Sequence, residues 1–301
     1  MKAAIAGGTG FVGKALINEL LKNGHQVVIL TRNPENKKNT ENIRYVKWLS
    51  AGSHPEKELE DVHAFINLAG ESINSGRWTD QRKQQIIDSR ISSTREIIRI
   101  MEELPHKPDV LINASAIGCY PVSEEETFTE ASPTANDGFL AETVHIWEKE
   151  AQQAERLGIR TAMSRFGVIL GKEEGALPRM ALPYKLFAGG KIGSGRQWMS
   201  WIHIADVAGA LRFIMEHPEI NGPVNLTAPS PERLHTLGKA LGDVLHRPHW
   251  LTVPSIAVKA ALGEMSTIIL EGQRVLPEKL TAHSFVFKFP HIKEALADIY
   301  T

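Results

Sequence analysis

The stretch Ala3-Ala4-Ile5-Ala6-Gly7-Gly8-Thr9-Gly10-Phe11-Val12-Gly13 decides the fold. Four apolar residues predict a short buried strand, and the glycines at 7, 10 and 13 predict a tight turn into a helix. Val12, Leu16, Leu20 and Leu21 then share one helical face, and Gly24 is the expected stop. Glycines at this spacing let backbone lie against a pyrophosphate with no Cβ in the way. The unpaired amides and positive pole of the helix then face the phosphates. Three spaced glycines alone also fit a plain strand-to-helix turn. Their place at the first β–α junction of an alternating chain favours dinucleotide binding.

The elements that follow supply that alternation. Val27–Leu30, Ala64–Leu68 and Val110–Asn113 are apolar runs, the mark of strands covered on both faces, and Arg160–Leu170 reads as one more buried strand. Between them, Ile87, Ile91, Thr94, Ile98 and Met101 predict a long amphipathic helix ended by Pro105, and another helix is expected over 140–157. The expected fold class is α/β, a doubly wound parallel sheet of the Rossmann type. Residues 1–170 would form the dinucleotide-binding domain, with 200–228 returning to it. Residues 229–301, with 171–199, would form a smaller substrate-side lobe.

Composition removes several classes of function. The 301 residues are 42% hydrophobic and 23% charged, which excludes disordered and fibrous chains. Lys plus Arg (34) balances Asp plus Glu (35), so no global basic field exists to hold nucleic acid. The single cysteine, Cys119, excludes an internal disulfide and any cysteine-rich zinc site. No apolar run approaches the roughly 18 residues of a membrane span, and no signal-like segment precedes Ala3, so a cytoplasmic location is expected. No His-Glu-x-x-His or Gly-x-Ser-x-Gly pattern occurs.

The end of the second strand selects the cofactor. An acidic residue there would bind the adenosine ribose 2′-hydroxyl of NAD. Thr31-Arg32-Asn33-Pro34 stands there instead, with Lys37 and Lys38 nearby. A guanidinium grips a phosphate by two hydrogen bonds, which favours NADP (NADPH) over NAD. The plainer alternative is a solvated loop arginine.

Gly7–Gly13, Asn67-Leu68-Ala69-Gly70 and Trp201-Ile202-His203-Ile204-Ala205-Asp206-Val207-Ala208 together resemble an extended short-chain dehydrogenase/reductase of the nucleotide-sugar epimerase type. Glu71, Arg77-Trp78, Ser89-Arg90, Gly167-Val168-Ile169-Leu170-Gly171 and Leu270–Val275 narrow the resemblance to the SDR39U-type epimerase family. In that family a short C-terminal domain of unknown function follows, matched here by about 249–296. The resemblance covers nearly the whole chain. It implies that Gly7, Thr9, Gly10, Phe11, Val12 and Gly13 cradle the pyrophosphate and Arg32 the 2′-phosphate. Leu68, Ala69, Gly70, Glu71, Arg90 and Ile169 would line the rest of the cofactor site. A helix-surface salt bridge is the bland alternative for Arg90. His203 reads as a buried structural histidine and Asp206 as a helix cap.

The catalytic part departs from the family pattern. The wider family uses Tyr-x-x-x-Lys, yet the residues four beyond Tyr45, Tyr120 and Tyr184 are Leu49, Glu124 and Ala188, and Tyr300 has one residue after it. Tyr120 and Ser115 are the candidate catalytic residues, although one alignment places Ala116 at the serine position. Arg165 is a candidate cation to lower the phenol pKa, and Glu71, Glu142 and His145 are weaker acid/base candidates. Trp78, Trp198 and Trp201 fit a cleft border or the core equally well.

Two readings follow. One is an NADP(H)-dependent oxidoreductase or epimerase-like enzyme acting on a small carbonyl or alcohol. The other is a catalytically silent NADP(H)-binding sensor. The 87–101 helix is a candidate homodimer helix, and its apolar stripe equally suits packing on the sheet.

Overall fold

Seven strands form one parallel sheet: β1 Lys2–Ala6, β2 Gln26–Thr31, β3 Ile43–Lys47, β4 Ala64–Asn67, β5 Val110–Ala116, β6 Arg160–Phe166 and β7 Gly222–Leu226. Their order is β7-β6-β5-β4-β1-β2-β3, and every neighbouring pair is parallel. The structure is a computed structural model and describes residues 1–35 and 37–301. The chain builds outward from β1 to β3, then crosses back to β4 on the other side. That reversal opens a crevice at the carboxyl ends of β1 and β4, where doubly wound folds bind ligands.

Alternation along β1 explains the two cores. Ala3 and Ile5 face one layer, built with Leu16 and Leu20 of α1 (Phe11–Lys22). Ala4 and Ala6 face the other, built with Ile97, Ile100 and Met101 of α2 (Asp80–Glu103). Helix α3 (Phe139–Ala151) joins the α2 layer and continues as a 3-10 turn over Gln152–Leu157, where one helix to 157 was expected. On α2 the fully buried stripe is Ile86, Ser93, Thr94, Ile97, Ile100 and Met101, whereas Ile87, Ile91 and Ile98 lie half-buried beside it.

Two further differences from expectation have clear causes. The edge strand β3, Ile-Arg-Tyr-Val-Lys, is half-solvated and carries no continuous apolar run. The single strand expected over 160–170 breaks at Gly167, where a Cβ would lie 2.5 Å from the Ser200 carbonyl oxygen. Val168–Leu170 instead pairs with Trp201–His203 in a separate two-stranded sheet.

A third core, that of the lobe, packs α4 (Leu177–Lys185), α6 (Leu234–Leu245) and the helix Ile292–Tyr300 around Trp201, Leu237 and Leu241. Between 278 and 289 the chain crosses back to the large domain. Leu280, Phe285 and Phe287 pack on its core, beside α5 (Ile204–Glu216). Asp206, expected as a helix cap, instead accepts the backbone amides of Lys288 (2.7 Å) and Phe289 (3.0 Å). The cap of α5 is His203, whose Nδ1 accepts the Ala205 amide at 3.2 Å. That ring is buried 4.1 Å from Phe289, and burial holds its pKa down at about 4. Among the described residues, no helix is long and apolar enough to cross a membrane.

Candidate functional site

The glycine turn is built by close backbone contacts. Gly7 takes a φ of +76°, and a Cβ there would sit 2.6 Å from the Leu68 carbonyl oxygen. At Gly13 a Cβ would lie 2.4 Å from the Gly7 oxygen, so α1 can approach β1 only as glycine. Gly10 differs: its Cβ would meet only the Gly7 oxygen, at 3.3 Å, and would otherwise project into open space. Helix α1 begins there with no side-chain cap, which leaves its first amides free to receive an anion. A cradle shaped this way fits the pyrophosphate of a dinucleotide.

A cleft of about 1420 Å³ opens from this turn and runs to the second lobe. Gly7, Gly10, Phe11, Val12, Gly13, Leu68, Ala69, Gly70, Glu71, Arg90 and Ile169 all line it, and so do Ser115 and Tyr120. Two expected cofactor residues are not on its wall: Thr9 is exposed at the turn, and Arg32 is exposed just past the end of β2. Arg32 has no hydrogen bond or ion pair to a described residue. Asn33 and Lys37 close the following turn through backbone amides, onto the Thr31 hydroxyl (3.4 Å) and the Pro34 carbonyl (2.9 Å).

Arg90 is held inside the wall rather than in a surface salt bridge. Its Nη1 donates to the carbonyls of Ile86 (2.9 Å) and Glu71 (3.1 Å), and its guanidinium lies 4.8 Å from the Trp147 ring. Burial lowers its pKa to about 10. The carboxylate of Glu71 pairs instead with Arg82, at 3.1 Å. Beneath this wall lies a network the sequence reading missed. Asn67 Nδ2 donates to Asn113 Oδ1 (2.7 Å) and Thr94 Oγ1 (3.1 Å), its own Oδ1 accepts the Ala69 amide, and Trp147 Nε1 donates to Thr94. Its signal was an asparagine at the carboxyl end of two otherwise apolar runs, where a buried amide must find partners.

The two candidate catalytic hydroxyls belong to a second buried network. Ser115 Oγ donates to Glu148 Oε1 at 2.6 Å. Arg165 grips both oxygens of Glu148, at 2.8 Å each, and donates through Nη1 to the Tyr120 oxygen at 2.9 Å. The Tyr120 hydroxyl in turn donates to Asn225 Oδ1, also at 2.9 Å. The expected cation therefore stands beside the phenol. Burial outweighs it, however, and the Tyr120 pKa is pushed up to about 12. Phe139 begins α3 and packs edge-on against Trp78, with 4.9 Å between centroids. Glu142 is exposed and His145 half-buried, and neither lines the cleft. Trp78 borders the cleft, Trp201 fills the lobe core, and Trp198 stacks under Arg233 at 3.8 Å.

The lobe is strapped over the cleft by the segment after the helix Thr267–Leu270. Gln273 Nε2 donates to the carbonyls of Ile117 (3.1 Å) and Tyr120 (3.3 Å), and Arg274–Val275 pairs with Thr127–Phe128. No group of three or more potential metal ligands occurs among the described residues.

The sheet order, the glycine turn at its reversal and the long cleft define an α/β protein of the Rossmann type. Residues 3–226 match the NAD dependent epimerase/dehydratase family, and residues 253–299 match the Domain of unknown function (DUF1731). The chain belongs to the NAD dependent epimerase/dehydratase family. Epimerase family protein YfhF of Bacillus subtilis is 50% identical over 299 residues, covering 99% of this chain and 98% of that protein. Among solved structures, human epimerase family protein SDR39U1 with NADPH is similar at 30% identity and a TM-score of 0.87, over 100% of this chain and 99% of that one. A nucleoside-diphosphate sugar epimerase from Corynebacterium glutamicum matches at 30% identity and a TM-score of 0.79, over 100% of this chain and 58% of that one. UDP-glucuronic acid 4-epimerase from Bacillus cereus, in complex with UDP-glucuronic acid and NAD, shares the fold at 15% identity and a TM-score of 0.79.

Proposed function

We propose that the protein is an NADP(H)-dependent oxidoreductase of the extended short-chain dehydrogenase/reductase type, acting on a small carbonyl or alcohol substrate. One observation carries this reading: the glycine turn, the β4 end and Arg90 meet on the wall of a single cleft that continues well past them into the lobe. Its 1420 Å³ exceeds the roughly 300–1,000 Å³ of a site for one drug-sized ligand, leaving room for cofactor and substrate together. NADPH in the structure of the human relative supports the choice of NADP, as does Arg32 just past the end of β2, which has no partner among the described residues.

The bound nicotinamide would supply hydride chemistry. The protein's own residues hold and orient. The amides opening α1 would bind the pyrophosphate, Arg32 the 2′-phosphate, and Leu68, Ala69, Gly70, Arg90 and Ile169 the body of the cofactor. We assign Ser115 and Tyr120 a positioning role. Both oxygens are already engaged inside the protein, and a phenol at about 12 is a weak acid near neutrality. The proton for a carbonyl oxygen then comes from water in the open cleft. These properties fit a protein working in the cytoplasm.

The direct test is absorbance of NADPH in the presence of a panel of aldehydes and ketones. Carbonyl-dependent oxidation supports the proposal. Tight NADPH binding with no oxidation across the panel would instead favour the silent sensor, the reading that the two engaged hydroxyls support.

A further inference from the structure

The half of the cleft beyond the cofactor wall has a largely apolar lining. Met180 and Pro183 of α4, Ile192, Leu241 of α6, Val253 and Ile269 form a continuous apolar surface. The ring of Tyr184 backs it, with its hydroxyl turned to His249 Nδ1 at 2.7 Å. The charged side chains on this part of the lining are Asp137, Arg179 of α4, Glu264 and Glu271, all exposed. Glu264 is paired with Lys83 at 2.6 Å, whereas Asp137 and Glu271 have no ion pair among the described residues, so one guanidinium against two free carboxylates makes a poor host for two phosphates. Arg179 is itself exposed and donates to the Asn74 carbonyl at 3.2 Å. Arg90, the other cation on the wall, is held within the cofactor half.

We propose that the lobe half of the cleft binds the hydrocarbon part of the substrate, so that the substrate is a carbonyl or alcohol compound with an extended aliphatic or aryl chain and no diphosphate. This rests on the oxidoreductase reading above and gives its site a substrate class. The chain lies between α4 and α6, its oxygen end directed back toward the β5 and β6 ends. Water leaves the apolar wall when the chain enters, so affinity rises by about fourfold for each methylene buried.

The test uses the full-length protein saturated with NADP, which binds the cofactor site without reducing a ketone. Calorimetry then compares 2-hexanone, 2-octanone and 2-decanone with UDP-glucose. The expected result is affinity rising about tenfold or more with each two-carbon step, and no binding of UDP-glucose at millimolar concentration. Met180→Trp and Ile192→Trp, at two half-buried wall positions, each narrow the channel. Both are expected to weaken 2-decanone binding at least tenfold while leaving NADP affinity unchanged. Should one variant lose NADP binding through misfolding, the other carries the comparison, and the wild-type series stands without either. Binding of UDP-glucose, or ketone affinity that is absent or flat with chain length, overturns the proposal and leaves the oxidoreductase reading intact. Failure to bind NADP overturns that reading instead, and the ketone series on the protein alone still decides the chain site.

Discussion

The oxygen of Tyr120 lies 2.9 Å from Nη1 of Arg165, and the same guanidinium clamps Glu148 through two bonds of 2.8 Å. Helix α3, strand β6 and the loop after β5 are thereby tied together behind the cleft wall. A phenol in this position organises the wall. Tyr120→Phe is therefore expected to lower stability by about 1–3 kcal/mol, the cost of leaving buried partners unpaired. If turnover is found, it should fall by less than about tenfold, against the roughly 10²–10⁴-fold expected of a lost general acid. Denaturant melts and steady-state rates on one variant measure both.

Breaking the ion pair should be more damaging than removing the phenol. Glu148→Gln or Arg165→Met leaves one buried charge uncompensated, with an expected loss of about 3–5 kcal/mol. The double variant, Glu148→Leu with Arg165→Met, should recover part of that loss, since no charge is stranded. A double-mutant cycle in urea checks the coupling. Additive losses would show that the two side chains act independently.

The three turn glycines are expected to fail in different ways. Gly13→Ala places a Cβ 2.4 Å from backbone and should lower the melting temperature as well as abolish NADPH binding. Gly10→Ala meets nothing closer than 3.3 Å, so the fold should survive while the methyl obstructs the cofactor. Its melting temperature should match the wild type, with NADPH affinity down at least about tenfold, or roughly 1.4 kcal/mol. Thermal melts with and without NADPH separate the two.

His203 gives the stability a defined pH dependence. Its pKa falls from 6.5 in the unfolded chain to about 4 in the fold, so protonation favours unfolding. The stability is whole above 6.5 and is lost progressively as pH falls from 6.5 toward 4, by up to about 3 kcal/mol. Asp298 (3.4 Å from Nε2) favours the protonated ring and Lys288 opposes it. His203→Asn keeps a capping oxygen for α5 and should flatten this part of the profile. An unchanged slope in that variant would assign the acid sensitivity to other groups.

The sheet was legible in the sequence because five of its seven strands lie inside it, covered on both faces, and are written as largely apolar runs, whereas the edge strand β7 is the short Gly-Pro-Val-Asn-Leu. The edge strand β3 has one solvated face, and its Arg44 and Lys47 disguise it. The cofactor wall was legible for the same kind of reason: a backbone that must pass 2.4–2.6 Å from a would-be Cβ demands glycine at positions 7 and 13. Arg165 beside Tyr120 was anticipated, but the network of Asn67, Thr94 and Asn113, and the ties of Ser115 and Arg165 to Glu148 and of Tyr120 to Asn225, were not. They join residues 17 to 105 positions apart, and their meaning lies in register between strands rather than in spacing along the chain. The break at Gly167 was hidden likewise, because the oxygen that forbids a side chain there belongs to Ser200.

The central claim is that the cleft takes NADP(H), with Arg32 choosing it over NAD(H). Calorimetric titration of the cofactor-free protein with NADPH and NADH tests that claim most directly. NADPH is expected to bind more tightly than NADH by at least about tenfold, with the difference largely abolished in Arg32→Ala and NADH affinity untouched. Equal affinities in the wild type would contradict the role given to Arg32, and binding of neither nucleotide would contradict the reading of the cleft itself.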